Sequence, residues 1–265
     1  MTLQNAQLQL DNPSDLASGI VIKAAHEIAG RLATNSQVTR NEINAIFKTL
    51  TRSSDAAGGW SVKMTGCAIE LAELLWLRDH SDIALNSDFA EANRCFVALE
   101  QALPPQHNRH DDQIALQQFS TPARLAWAMA LAAGIKPEDI VLEPSAGTGI
   151  LTIWPHLVGA KLILNEIDGL RSACLRELFP GAPTFSHDGE LIDELLPSRH
   201  NPNLVLMNPP FARSAERGKD GRSALRHLRS AWRRLAAGDR LVAIMPEGFS
   251  AAEFAKNEPG SCALR

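Results

Sequence analysis

Ile140-Val141-Leu142-Glu143-Pro144-Ser145-Ala146-Gly147-Thr148-Gly149 reads as a short apolar strand running straight into a glycine-rich turn. A helix is expected next, over 150–157. Small residues in such a turn let the backbone approach a ligand closely, and a helix start favours anionic groups. Pro144 stiffens the turn, and Glu143 is placed to accept from an ammonium or hydroxyl group. No GK[ST] follows, which excludes a nucleotide-triphosphate loop, although a plain strand-to-helix turn would also explain the glycines.

Working outward, Lys161–Glu166, Thr184–Ser186, Leu204–Met207 and Leu241–Met245 read as further strands, separated by helices over 170–178 and 223–235. Upstream, Thr121 is expected to cap a helix with Pro122 at its first position, stopped near Ala133 by Gly134 and Pro137. Strands that are apolar throughout and alternate with helices imply a parallel sheet covered on both faces. Residues 1–110 read instead as helical. Asn12-Pro13 opens a first helix running past Ile28, and Thr39-x-x-Glu42 is a capping-box pattern ahead of a second. Further helices are expected over about 62–78 and 88–103, with a loop at 53–59 between the second and third. Pro104-Pro105 and the polar stretch after them break the pattern, dividing the chain into a helical region, 1–106, and an α/β domain, 107–265. Only five strands are readable and residues 257–265 resemble no element, so the sheet is expected to be incomplete at its C-terminal side.

Bulk properties restrict the function classes. The chain has 265 residues, 45% apolar and 21% charged, ordinary for a globular protein. No apolar stretch is long enough to span a bilayer, and no basic region followed by an apolar core opens the sequence. Cys67, Cys95, Cys174 and Cys262 form no CxxC, so neither a metal site nor a disulfide framework is expected, and a cytoplasmic location fits. The net charge of −4 does not suggest a nucleic-acid binder, yet its distribution is uneven. Between Asn208 and Arg240, nine basic residues (Arg213, Arg217, Lys219, Arg222, Arg226, Arg229, Arg233, Arg234, Arg240) face three acids (Glu216, Asp220, Asp239), a local charge of +6. Such a stretch attracts phosphate, or is simply a solvated helix face.

Chemistry-bearing residues gather at the expected strand ends. Glu166, seventeen residues beyond Gly149, closes the second strand where an acid bridges ribose hydroxyls, while Asp168 next to it suits a helix cap. Asp188, after the third strand, either accepts from a base amino group or caps a helix. After the fourth strand comes Asn208-Pro209-Pro210-Phe211: an amide, two rigid prolines and an aromatic ring, suited to holding a planar amino-bearing group still. The prolines alone are explained by loop stiffening; the flanking Asn and Phe are not.

The segments Phe119-Ser120-Thr121-Pro122, Glu143 to Gly149, Asn165 to Asp168, His187 to Gly189 and Asn208 to Phe211, in this order, resemble the adenine-specific (N6) DNA methyltransferases. More narrowly, the stretch from His110 through Phe211, with Gly59-Trp60 to Leu77-Arg78, is similar to the N-terminal methylase region of strawberry-notch-like methylase/helicase fusion proteins, here truncated. The resemblance implies a Rossmann-like fold and S-adenosylmethionine as cofactor, held by Phe119, Thr121, Glu143, Pro144, Ala146, Gly147, Gly149, Glu166, Asp188 and Asn208. It further implies DNA as partner, together with a helicase or ATPase domain. Asn208 and the Pro209 carbonyl would grip the two amino hydrogens of a flipped adenine, Pro210 would stiffen the loop and Phe211 would stack on the base. An RNA or protein-glutamine substrate, or an inactive DNA-binding remnant, are the alternatives.

Overall fold

The strands of the second half divide their side chains between two buried clusters. Val141, Leu162, Leu164, Leu204 and Leu206 join one, and Leu142, Ile163, Val205, Met207 and Leu241 the other. This is the period-2 alternation of a strand with both faces covered, which is why each strand is apolar along its whole length. The computed structural model describes residues 13–34, 36–86, 88–104, 121–211 and 222–257. The expected cap Asn12, the break after Pro104, the boundary at 106/107, Phe119, and residues 258–265 lie outside them.

The helical leader comprises α1 (Pro13–Leu32), α2 (Arg40–Thr51), α3 (Val62–Asp79), α4 (Ser81–Asn86) and α5 (Phe89–Ala102), with a 3₁₀ turn at Asp55–Ala57. Thr39 makes the expected capping box with Glu42. Ser61 and Asp88 cap α3 and α5 through their side chains. The α/β part follows as α6 (Ala123–Ala133), β1 (Ile140–Glu143), α7 (Ile153–Val158), β2 (Lys161–Asn165), α8 (Gly169–Leu178), β3 (Thr184–Phe185), α9 (Ile192–Leu195), β4 (Leu204–Met207), α10 (Ser223–Trp232), β5 (Arg240–Ala243) and α11 (Ala251–Asn257). The short helices α4, α9 and α11 were not legible in the sequence. Helix α7 starts three residues later than expected, because residues 147–152 form turns.

All four strand pairings are parallel, in the order β3-β2-β1-β4-β5. Helices α6, α7 and α8 cover one face; α9, α10 and α11 cover the other. The leader packs onto the first layer, with α1 and α3 against α8, and its buried residues run without interruption into those of the sheet face. Cys67 on α3 and Cys174 on α8 are both buried free thiols of this layer.

The opposite end of the sheet is held by a buried polar knot. Arg240 donates to Asp139 and to the carbonyls of Ala133 (2.6 Å) and Gly134 (2.7 Å). Asp139 also accepts from Lys136 N (2.7 Å) and Asn203 Nδ2 (3.1 Å), while Asn203 Oδ1 accepts from Ile140 N (2.7 Å). The knot ties the starts of β1, β4 and β5. Asp139 is buried, while Arg240 is half-buried and keeps its two carbonyl contacts when Asp139 is removed. Asp139→Ala is expected to lower unfolding stability by about 2–3 kcal/mol in urea titration, the loss of hydrogen bonds to a charged group; a loss below about 1 kcal/mol would contradict the knot's role.

Candidate functional site

The strand order reverses direction between β1 and β4, so the loops leaving these two strands separate there and leave a crevice at their carboxyl ends. Val141 and Leu142 pair with Leu204 and Val205, and Glu143 pairs with Leu164. The glycine loop after β1, the Asn165–Asp168 segment after β2 and the Asn208–Phe211 segment after β4 therefore leave the sheet side by side.

Asn165 ties three of these strand ends together. It is 1% exposed. Its Nδ2 donates to the carbonyls of Pro144 and His187, both at 2.9 Å, and its Oδ1 accepts from His187 N at 2.8 Å. Its own carbonyl accepts from Ala146 N at 2.9 Å. Two glycines are required by the closeness that results. Gly149 has φ +110°, and a Cβ there would lie 2.7 Å from the Phe179 ring. A Cβ on Gly189 would lie 2.7 Å from His227 and 3.0 Å from Ser145 Oγ.

The acids of the site are buried. Glu143 accepts from the Thr152 hydroxyl within its own turn. Burial pushes its carboxyl well above the usual range, opposed by that hydroxyl. Glu166 holds the glycine loop directly: Oε2 accepts from Gly147 N at 2.7 Å and Oε1 from Asp168 N at 2.8 Å. Burial raises its carboxyl too, against the pull of Arg171 and the two amides. Each Glu166 oxygen has a second lone pair, so the carboxylate can accept from ribose hydroxyls while keeping the loop. The residues present thus fit a ribose-bearing cofactor. Asp168 is the cap of α8, accepting from Leu170 N and Arg171 N at 3.1 Å. Asp188 caps the 3₁₀ turn Gly189–Leu191 through Oδ1.

At the end of β4, Asn208 Nδ2 donates to Thr121 Oγ1 at 2.9 Å, across 87 residues. This corrects the expectation for Thr121: α6 has Pro122 at its cap position and no side-chain cap bond, because the hydroxyl is turned to Asn208. With the amide nitrogen engaged there, the amide oxygen is left to accept. Pro209 is buried, Pro210 half-buried, and Phe211, 38% exposed, stands at the edge of the crevice.

Three charged residues that the sequence reading did not single out complete the site. Lys63 of α3 donates to Asp168, Glu70 of α3 accepts from Thr148 Oγ1 at 2.8 Å, and Arg171 of α8 lies 4.0 Å from Glu70. Burial works against the Asp168 charge, but Lys63 and the Arg171 amide outweigh it and hold the carboxyl below its usual range. The available signal was Glu70 itself, an acid within the otherwise apolar run Cys67–Leu77 that also carries Glu73.

Among the described residues of the basic stretch, several arginines are engaged within the chain itself. Arg213, Arg217 and Lys219 lie outside the described residues. Arg226 forks onto Glu190 (2.7 and 3.0 Å), Arg233 meets Asp193 (3.0 Å), and Arg234 donates to the carbonyls of Leu196, Pro197 and His200. Helix α10 packs back over the 3₁₀ turn and α9, and this places its arginines against acids of the same chain. Among the described residues no group of His, Cys, Asp and Glu is arranged to hold a metal ion, and no helix is long and apolar enough to cross a membrane.

An all-parallel sheet in this order, with a glycine loop after β1, an acid closing β2 and the crevice at the β1/β4 reversal, is a Rossmann-like, doubly wound fold. No family model matches the chain. The U6 snRNA (guanine-N(2))-methyltransferase THUMPD2 of Bos taurus is 25% identical over 231 residues, covering 81% of this chain and 43% of that protein. The Mus musculus protein of the same name is 29% identical over 146 residues, covering 50% and 25%. The chain thus spans less than half the length of these relatives. A solved structure from Pyrococcus horikoshii, PH1948, described as an RNA methyltransferase, is 23% identical with a TM-score of 0.46, over 62% of this chain and 78% of that one. The fold assignment stands on the strand order.

Glu73, one turn beyond Glu70, gives the site region a pH dependence. Burial, with Glu70 and Glu100 adding to it, pushes its carboxyl from the ordinary 4.5 up to about 8. Between those values the unfolded chain binds fewer protons than the folded one, so this group makes stability fall as pH rises from about 4.5 to about 8. Glu73→Gln is expected to flatten that slope and to raise the melting temperature at pH 8 while changing it little at pH 4. An unchanged slope would contradict the assignment.

Proposed function

We propose that this chain transfers a methyl group from S-adenosylmethionine to the exocyclic amino nitrogen of a nucleobase, with RNA as the substrate class. The Asn208–Thr121 hydrogen bond beside the glycine loop carries the reading. An exocyclic amino nitrogen is a poor nucleophile because its lone pair is delocalised into the ring. Asn208 Oδ1 accepts one amino hydrogen and the Pro209 carbonyl the other, which draws the lone pair out of the ring plane. Phe211 stacks on the face of the base, and Thr121 anchors the Asn208 side chain. Glu166 would receive the ribose hydroxyls of the cofactor, with the Gly147 turn and Asp188 as further binding groups. Glu143 supports the turn from within.

S-adenosylmethionine supplies a sulfonium-bound methyl group. The nitrogen lone pair would take that methyl carbon as its bond to sulfur broke, with the bonding electrons staying on sulfur and one amino proton leaving to solvent. Catalysis is then positioning and electrostatics. RNA is favoured because both curated relatives act, by name, on U6 snRNA. A second reading, adenine in DNA with a helicase partner, is supported by the order of the five motif segments and by the pairing of the first with the last through Thr121 and Asn208.

The test is methyl transfer by the full chain to RNA and to single- and double-stranded DNA, with nucleoside analysis of the product. Asn208→Ala is expected to lower kcat/KM on the order of 100-fold while cofactor affinity changes less than about threefold. Thr121→Val should lower it in the same direction by less. Methylguanosine in RNA supports the first reading and N6-methyladenine in DNA the second. Full activity of Asn208→Ala would overturn both.

A further inference from the structure

Glu70 is 6% exposed on an otherwise apolar buried face of α3, a costly place for a carboxylate unless partners require it. Those partners belong to the glycine loop and its support. Oε2 accepts from Thr148 Oγ1 at 2.8 Å, and Oε1 lies 4.0 Å from Arg171 Nη2. Arg171 is itself 6% exposed. Its guanidinium lies among Glu70, Glu166 and Asp168, and it approaches the position of a Gly147 Cβ to 3.5 Å. Glu166 in turn accepts from Gly147 N at 2.7 Å. Two routes therefore run from Glu70 to adjacent residues of the loop: directly to Thr148 through a hydrogen bond, and through the charge of Arg171, whose guanidinium lies beside Gly147. Lys63, seven residues before Glu70 and on the same helix face, adds a third tie at Asp168.

We propose that helix α3 of the leader is an integral wall of the cofactor site, with Glu70 as the positioning residue that fixes the glycine loop through Thr148 and Arg171. The inference rests on the cofactor reading above and deepens it: Asn165 and Glu166 hold the loop from within the α/β part, and the contact that fixes Thr148 comes from the leader. The leader is then a point of control, since anything that shifts α3 against α8 changes cofactor affinity without touching the crevice.

A double-mutant cycle tests this on the full chain. The dissociation constant for S-adenosylmethionine is measured by calorimetry for wild type, Glu70→Gln, Glu70→Ala, Thr148→Val and the Glu70→Ala/Thr148→Val pair, each checked for folding by circular dichroism. Losing a hydrogen bond to a charged group predicts about tenfold weaker binding for Glu70→Ala and a similar loss for Thr148→Val. The pair should bind about as Glu70→Ala alone, because both remove one contact. Glu70→Gln keeps the acceptor for Thr148 and should fall between. Amide exchange at 147–149 without cofactor should quicken in both single variants, a readout that survives even if wild type binds no cofactor. A merely structural Glu70 would lower the melting temperature and leave affinity and loop exchange unchanged, and that result, or fully additive losses, would overturn the proposal. Absence of binding by folded wild type would overturn the cofactor reading instead, with the exchange data deciding whether Glu70 holds the loop.

Discussion

The site depends on one buried side chain more than on any other. Asn165 closes β2 and uses its amide in both directions, donating to the loop after β1 and both donating to and accepting from the segment after β3. Parallel strands give no hairpin turns to align their ends, so the loops at the carboxyl edge need cross-links of another kind. Asn165 supplies them at 1% exposure, where an unmade hydrogen bond is most costly. The glycine loop, Glu166 and the Asp188 turn can be a single surface because this residue fixes them to each other.

Around that stitch the site concentrates charge in a dry place. Glu143 and Glu166 are both pushed upward by burial, while Asp168 is held down by Lys63 and an amide. Arg171 lies at the centre of this arrangement. Such a cluster is costly to assemble: Glu166 and Asp168 are bonded to backbone amides, Asp168 also to Lys63, and Glu143, which burial drives toward its neutral form, to the Thr152 hydroxyl. It does not extend to the β4 end of the crevice, where Asn208, Thr121 and the prolines offer neutral polar groups and Phe211 offers an aromatic face. The two ends suit different halves of a reaction: a polar cradle for a ribose-bearing cofactor and an uncharged grip for a planar amino group.

The strands were legible in the sequence because burial on both faces leaves only apolar residues, as in Leu204–Met207. The capping box at Thr39 was legible because its two partners are three residues apart. What could not be read depended on distance along the chain. Thr121-Pro122 has the local form of a helix start, but the threonine hydroxyl serves Asn208, 87 residues away. The arginines of α10 read as a basic face; Glu190 and Asp193 neutralise part of it only once α10 folds back over them. The leader read as a separate helical region, yet Lys63 reaches the α8 cap Asp168 and Glu70 reaches the glycine loop, from 105 and 78 residues away. The helix after the glycine loop was overestimated because Gly149, at φ +110°, prolongs the turn.

On the proposed reading, the carboxyl ends of β1 and β2 form a cofactor site with Glu166 as its acid. Calorimetric titration of the full chain with S-adenosylmethionine, beside Glu166→Ala, tests it most directly. Saturable binding by wild type, weakened at least tenfold by the substitution in a protein that remains folded, is the result expected from losing a carboxylate with two charge-assisted contacts. Equal binding by both proteins, or none by folded wild type, would contradict it.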